Sequence, residues 1–173
     1  MIDSEKKIIL DADVIIHFCK GNLLGKLPSI YPNKLFIPSI VYKEALSKKH
    51  ATEVSNLLSF KLATELEIKY DKKVFIEYNR LLKSGLGKGE SACMAYCRYN
   101  NDVIGSSNLK DIKKYCTDNG ITYLTTMDFI NAAFEGEILT ESECDEFIYN
   151  VTSKGSRLPF KTLNEYRKSI KKA

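Results

Sequence analysis

Three acidic residues in this chain stand where solubility does not call for an acid. Asp11 ends the apolar run Ile8-Ile9-Leu10, Glu44 lies four positions after Ile40 and three after Val41, and Glu90 is followed by Cys93, Met94 and Cys97 at i+3, i+4 and i+7. Burying a carboxylate without a partner is expensive, and the usual resolutions are an ion pair, a shifted pKa or a metal. A cluster of carboxylates is what hard divalent cations such as Mg²⁺ or Mn²⁺ require, since these ions take oxygen ligands and keep waters for substrate phosphates. In phosphodiester hydrolysis such a metal positions the attacking water, lowers its pKa and neutralises charge on the leaving oxygen. No Ser-His-Asp or Cys-His arrangement competes. Each acid also has a plainer role: Asp11 or Asp13 as the cap of a helix starting near Val14, Glu90 as an acid stabilising a helix N-terminus.

The elements that must bring these acids together follow from the hydrophobic pattern. Ile8 to Leu10 is too short for a helix and suits a strand of a parallel sheet buried on both faces, with Asp11 at its carboxyl end, where open α/β sheets put their ligands. A short helix ends at Gly21-Asn22, and Leu23, Leu24 and Leu27 predict a second one, closed by Pro28. Residues 34–39 read as a strand running into the helix that carries Glu44. Residues 51–63 and 73–84 read as amphipathic helices, with Leu62 on one apolar face and Val74, Phe75, Tyr78 and Leu81 on the other. Leu66 to Tyr70 alternates like an edge strand. The segment from Ser84 to Glu90 holds three glycines in five residues, a tight loop into a helix that lacks the Walker spacing of a phosphate loop.

Asp102 to Ser106 and Ile121 to Thr126 are two further strands. Asn108 with Asp111 reads as an acid variant of the capping box, and Thr126 as the cap of the next helix. Alternation of strand and helix at this spacing means a parallel sheet with right-handed crossovers. Beyond Gly136 the pattern turns helical: Thr140 and Glu143 form a capping box before Cys144, Phe147, Ile148 and Val151. After a turn-rich connector, Leu163, Tyr166 and Ile170 mark a terminal helix.

The 173 residues, 44% apolar and 28% charged, fit one domain of about 1–137 with a C-terminal helical extension over 138–173. No apolar run is long enough to cross a membrane and no signal peptide is apparent, so the expected partners exclude a membrane. Five scattered cysteines in apolar helical contexts fit the reducing cytoplasm. Cys93 and Cys97 share a helix face, but no second Cys or His pair completes a zinc site. His17 and His50 read as helix residues rather than ligands. The last thirteen residues hold five basic residues and one acid, which accounts for the whole net charge of +4. Arg167, Lys168, Lys171 and Lys172 are therefore candidates for contact with a phosphate backbone, against the plainer reading of a solvated terminal helix.

Five segments carry a family resemblance. In order, residues 8–16 (Ile-Ile-Leu-Asp-Ala-Asp-Val-Ile-Ile), 38–46 (Pro-Ser-Ile-Val-Tyr-Lys-Glu-Ala-Leu), 85–92 (Gly-Leu-Gly-Lys-Gly-Glu-Ser-Ala), 102–108 (Asp-Val-Ile-Gly-Ser-Ser-Asn) and 124–129 (Leu-Thr-Thr-Met-Asp-Phe) resemble the successive motifs of PIN-domain ribonucleases. The resemblance implies a three-layer α/β/α fold with a central parallel sheet and a metal-dependent endoribonuclease site using Mg²⁺ or Mn²⁺. Many members are toxins of bacterial toxin-antitoxin pairs, which implies RNA as substrate and a protein inhibitor, the antitoxin, as partner, and leaves room for a homodimer. Carried over by position, Asp11, Glu44 and Glu90 are the metal-site acids, and Asp13 takes the polar position that supports the first of them.

One departure stands out. The family usually has another Asp just after the strand that here ends at Ser106, and this chain has Ser107 and Asn108 there. Asp111, about one helical turn later, is the candidate replacement, and Asn108 could coordinate through its amide oxygen. Two other functions fit parts of the pattern. Asp11-Ala-Asp13-Val-Ile is also the nucleophile motif of haloacid-dehalogenase-like phosphatases, in which Asp11 would be phosphorylated and Asp13 the general acid; the later acidic pair of that family is missing. A catalytically degenerate domain that keeps the fold and binds RNA or protein accommodates the missing Asp and the basic tail.

Overall fold

The computed structural model describes residues 2–45, 50–69 and 71–172, with the side chains of Glu44 and Ala45 outside the described set. Leu46, the last residue of the second motif above, and Tyr70, assigned above to a strand, also lie outside the described residues. Five strands, β1 (Ile8–Leu10), β2 (Leu35–Pro38), β3 (Thr64–Leu66), β4 (Val103–Gly105) and β5 (Tyr123–Leu124), form one sheet in the order β3-β2-β1-β4-β5. Every neighbouring pair is parallel, with Ile8 in register with Leu35 on one side and Val103 on the other. Ile8, Ile9 and Leu10 are all fully buried although successive side chains point to opposite faces, so helices cover the sheet on both sides. This is the parallel sheet that the strand–helix alternation predicts, in the α/β/α arrangement that the resemblance implies.

The strand order reverses direction between β1 and β4, which opens a crevice at their carboxyl ends. Asp11 continues the β1–β4 ladder there, its N–H donating to the Gly105 carbonyl at 2.8 Å. Gly105 also lets β4 pack this closely, since a Cβ there would stand 2.8 Å from Leu10 Cδ2.

Nine helices among the described residues connect or flank the strands: α1 (Ala12–Lys20), α2 (Ser39–Ala45), α3 (Ala51–Ser59), α4 (Lys72–Lys83), α5 (Lys88–Asn100), α6 (Leu109–Asn119), α7 (Thr126–Glu135), α8 (Glu141–Ser153) and α9 (Leu163–Ile170). Several expectations shift. Pro28 lies inside a 3₁₀ helix over Leu24–Ser29 rather than after it. The edge strand comes two residues early, at Thr64, and Leu62 lies beyond α3, exposed. Phe75 and Ile170 also face solvent. The position expected for Phe75 on the buried face of α4 goes to Glu77, which follows Val74 by three residues and precedes Leu81 by four.

Glu77 is 4% exposed and ties three helices together. Its carboxylate pairs with Arg80 of its own helix at 2.7 Å and with Arg98 of α5 at 2.8 Å, and accepts the Tyr115 hydroxyl of α6 at 2.8 Å. These donors hold its pKa down to about 2, against the ordinary 4.5.

α8 and α9 pack into the same core. Thr140 and Glu143 form the expected capping box, and Cys144, Phe147, Ile148 and Val151 are buried. The Phe147 ring lies 5.0 Å from that of Phe18 in α1, in the space left by Gly21: a Cβ at residue 21 would fall 2.1 Å from Phe147 Cδ2. On α9, the Tyr166 hydroxyl donates to the Asp128 carboxylate at the start of α7.

Candidate functional site

The crevice between β1 and β4 is where the candidate acids gather. Asp11 is the N-cap of α1, in extended backbone conformation, and one carboxylate oxygen accepts the Ala12 N–H at 2.8 Å. Its other oxygen faces Ser106 Oγ at 3.3 Å. Capping and site membership are therefore not alternatives for Asp11.

Asp13 points to the same place. Its Oδ2 accepts the Ser107 N–H at 2.7 Å and lies 3.2 Å from Ser106 Oγ, while Oδ1 accepts the Val14 N–H at 2.6 Å. Ser106 is fully buried, and its single hydroxyl hydrogen is shared between two carboxylates. Burial raises the pKa of both acids, and for Asp13 the neighbouring charge of Asp11 adds to the rise.

Glu90 approaches from the first turn of α5. Gly89 before it faces Asp11 and α2 directly, with room for a Cβ only at 3.1 Å from Val41 Cγ2 and 3.7 Å from Asp11 Oδ1. That close approach explains the glycine ahead of the acid. Burial, then the charges of Asp11, Asp111 and Asp13, push the Glu90 carboxyl up to about 7. Among the described side chains its partner is an amide: Glu90 Oε1 accepts Asn108 Nδ2 at 3.1 Å. The same Asn108 nitrogen donates to Asp111 Oδ2 at 2.7 Å.

Asn108 thus occupies the cap position of α6 without capping it. The expected capping box is not formed: its amide bridges Glu90 and Asp111 instead of binding the helix N–H groups. Ser107, the other residue at the position of the usual acid, is also committed. Its Oγ donates to Thr126 Oγ1 at 2.7 Å and accepts the Thr126 N–H at 2.8 Å.

Thr126 is the first residue of α7 rather than its cap, which is Thr125 in a capping box with Asp128. Freed from capping, the Thr126 hydroxyl lies 2.8 Å from Nδ1 of buried His17. Burial pulls the His17 pKa down to about 4, so the ring is neutral. The chain Asp13–Ser107–Thr126–His17 runs from the crevice into the core. Ser106, Thr126 and His17 were not singled out from sequence as site residues.

Glu44 lies in α2, three residues after Val41, and its side chain is outside the described residues. The basic candidates are elsewhere: Arg167 packs its guanidinium 4.8 Å from the Phe134 ring and 3.7 Å from Glu135, and Lys168, Lys171 and Lys172 are exposed on or just after α9. Cys93 and Cys97 are buried in α5, where burial raises both thiols well above their ordinary range, which keeps them protonated core groups.

The donor set at the crevice is all oxygen and acidic, the chemistry of a hard divalent cation rather than of zinc or copper. Among the described residues, no three His, Cys, Asp or Glu side chains are close enough to close round an ion as they stand. No described helix is long and apolar enough to cross a membrane.

Comparison with known proteins adds a family. A family model described as PIN domain matches residues 7–172, through α8 and α9. No curated protein matches. Among solved structures, VapBC-1 from nontypeable Haemophilus influenzae is similar at 18% identity, over 69% of this chain and 97% of that one, with a TM-score of 0.49.

Proposed function

The chain belongs to the PIN domain family, whose members are generally nucleases, and from that premise we propose that it is a metal-dependent endoribonuclease. The observation that carries the reading is the meeting of Asp11, Asp13, Glu90 and Asp111, from three parts of the chain, at the carboxyl ends of β1 and β4. Acids gathered against their own repulsion, with an amide rather than a cation bridging Glu90 to Asp111, are the mark of a site that recruits a cation.

Asp11, Glu90 and Asp111, with Glu44, would hold Mg²⁺ or Mn²⁺, which supplies Lewis-acid polarisation of the phosphodiester and a water of lowered pKa. The protein supplies the rest. Ser106 and the Ser107 N–H fix Asp13, and Ser106 fixes Asp11, so both acids are oriented before substrate arrives. A cation held there would offset the burial and the charges of Asp11, Asp111 and Asp13 that raise the Glu90 carboxyl. As the water oxygen bonds to phosphorus, the ester P–O bond breaks and the leaving oxygen takes up a proton.

We extend the proposal to a toxin restrained by a protein antitoxin, as many members of the family are. The test is cleavage of single-stranded RNA by the purified protein in Mn²⁺ or Mg²⁺. EDTA stops it, and Glu90→Gln or Glu44→Gln abolishes it; undiminished cleavage in EDTA removes the metal mechanism. A second reading, a degenerate domain, is favoured by the commitment of Ser107 to Thr126 and by the Asn108 nitrogen facing two carboxylates. Mn²⁺ binding without cleavage of any RNA would select it.

A further inference from the structure

Beside the acids lies a cleft of about 370 Å³ between α4, α5 and α6, lined by Arg80, Met94, Lys110, Asp111, Lys114 and Tyr115 among others. Lys110 and Lys114 also line a second hollow on the outer face of α6, together with Lys113. Asp111 lines the cleft and is bridged through Asn108 to Glu90, so the cleft adjoins the acidic crevice. We propose that this cleft and the Lys110–Lys113–Lys114 face of α6 bind the phosphate backbone of the RNA strand next to the scissile bond. The proposal rests on the nuclease reading and names where its substrate lies.

The electrostatics require such a surface. Four carboxylates at the crevice repel a polyanion, and even a bound divalent cation offsets only part of their charge, so affinity for RNA has to come from cations flanking the acids. Residues 110, 113 and 114 fall on one side of a helix by their spacing, and all three are exposed. Lys114 is paired with Asp118 at 2.6 Å, but both are exposed, and such a pair gives way to a phosphate at little cost. Arg80 is held in place by Glu77 through Nε at 3.1 Å and Nη2 at 2.7 Å, with its guanidinium 6.0 Å from the Tyr115 ring. A pinned cation over an aromatic ring, at the mouth of a cleft that also holds Tyr115, suits a strand whose bases are open to stacking. The basic end of the chain differs in place: Arg167 lies on α9, which packs against α7 and α8.

The test is fluorescence anisotropy of a labelled single-stranded RNA in EDTA, which stops the proposed reaction, over a series of salt concentrations. Wild type is expected to bind with a linear fall of log K against log salt. Lys110→Ala combined with Lys113→Ala should weaken binding and reduce that slope by about 1.4, since each single-strand phosphate that a lysine neutralises adds about 0.7 to it. The Lys→Arg pair should keep the slope, and Lys168→Ala with Lys171→Ala should leave it unchanged. Thermal unfolding of each variant verifies that the fold is intact. An unchanged slope in the Lys110/Lys113 variant overturns the proposal, and so does a slope reduced only in the Lys168/Lys171 variant. Wild-type binding that follows this pattern without cleavage in Mn²⁺ sinks the nuclease reading and supports the cleft; no binding by wild type overturns the cleft.

Discussion

Neutralising Glu90 should stabilise the fold while destroying the proposed activity. Glu90 titrates at about 7 instead of 4.5, because the folded protein places it half-buried beside Asp11, Asp111 and Asp13. A carboxyl whose pKa is raised by folding favours the native state most when protonated. Its contribution is complete below the unfolded value near 4.5 and is lost as pH rises through about 7. Above that, wild type carries the full repulsion. At 1.36 kcal/mol per pH unit the rise corresponds to about 3 kcal/mol, and screening through the open side of a half-exposed group reduces this to about 1–2 kcal/mol. Glu90→Gln keeps an oxygen to accept Asn108 Nδ2 and removes the charge. For a chain of this length each kcal/mol moves Tm by roughly 2–4 °C, so the variant should melt roughly 2–8 °C above wild type at about pH 8. The two should converge at about pH 4, where wild-type Glu90 is itself protonated. Calorimetry or near-UV circular dichroism at both pH values measures the difference. A variant that melts lower than wild type at the higher pH, or gains equally at both, would refute the claim that Glu90 sits among uncompensated acids. Mn²⁺ should raise the wild-type Tm at the higher pH and do so less in the variant.

Three further outcomes follow from particular contacts. Glu77→Ala leaves Arg98 and the Tyr115 hydroxyl without their shared acceptor and should cost about 2–3 kcal/mol by urea unfolding at neutral pH. Because folding lowers this carboxyl to about 2, its contribution is complete above about 4.5 and fades as pH falls through about 2, so the variant should be closest to wild type in strong acid. Gly21→Ala places a methyl 2.1 Å from the Phe147 ring at a backbone conformation any residue adopts, so the cost is steric, about 1–3 kcal/mol, and Phe147→Leu should recover part of it. Thr126→Val removes the hydroxyl between Ser107 and His17 and leaves a buried imidazole nitrogen unpaired, a loss of about 1–3 kcal/mol that thermal unfolding would register.

What the chain announces and what it hides divide by the range of the interaction. Ile8-Ile9-Leu10 followed by Asp11 is readable because a doubly buried strand leaves a continuous apolar run, and the acid after it falls at the strand's carboxyl end. The capping box of α8 is readable because its partners are three residues apart. Ser106, which touches Asp11 and Asp13 across 95 and 93 residues, leaves no periodic trace, and neither does the Thr126–His17 contact across 109. The one signal for them is the run Gly-Ser-Ser-Asn at the carboxyl end of β4, too polar for a strand that central. The expected position of β3 is off for a related reason: an edge strand of three residues, it is defined by pairing to β2 rather than by its own pattern.

Glu77 and Glu90 make the limit of the rule for acids on apolar faces concrete. Both lie on helices beside buried apolar neighbours, and sequence reasoning drew attention to Glu90 and passed over Glu77. The structure puts cations against one and acids against the other, and the carboxyl pKa moves in opposite directions, to about 2 and about 7. The local difference was present in the sequence: Arg80 follows Glu77 by three positions, a spacing that closes an ion pair on a helix, whereas the residues three and four after Glu90 are Cys93 and Met94. An acid with its counter-charge one turn away ties helices together. An acid whose next turn offers none has to find its counter-charge elsewhere, and here the charges that raise its pKa are those of Asp11, Asp111 and Asp13, which is why the proposed metal site is the crevice rather than the α4–α6 corner.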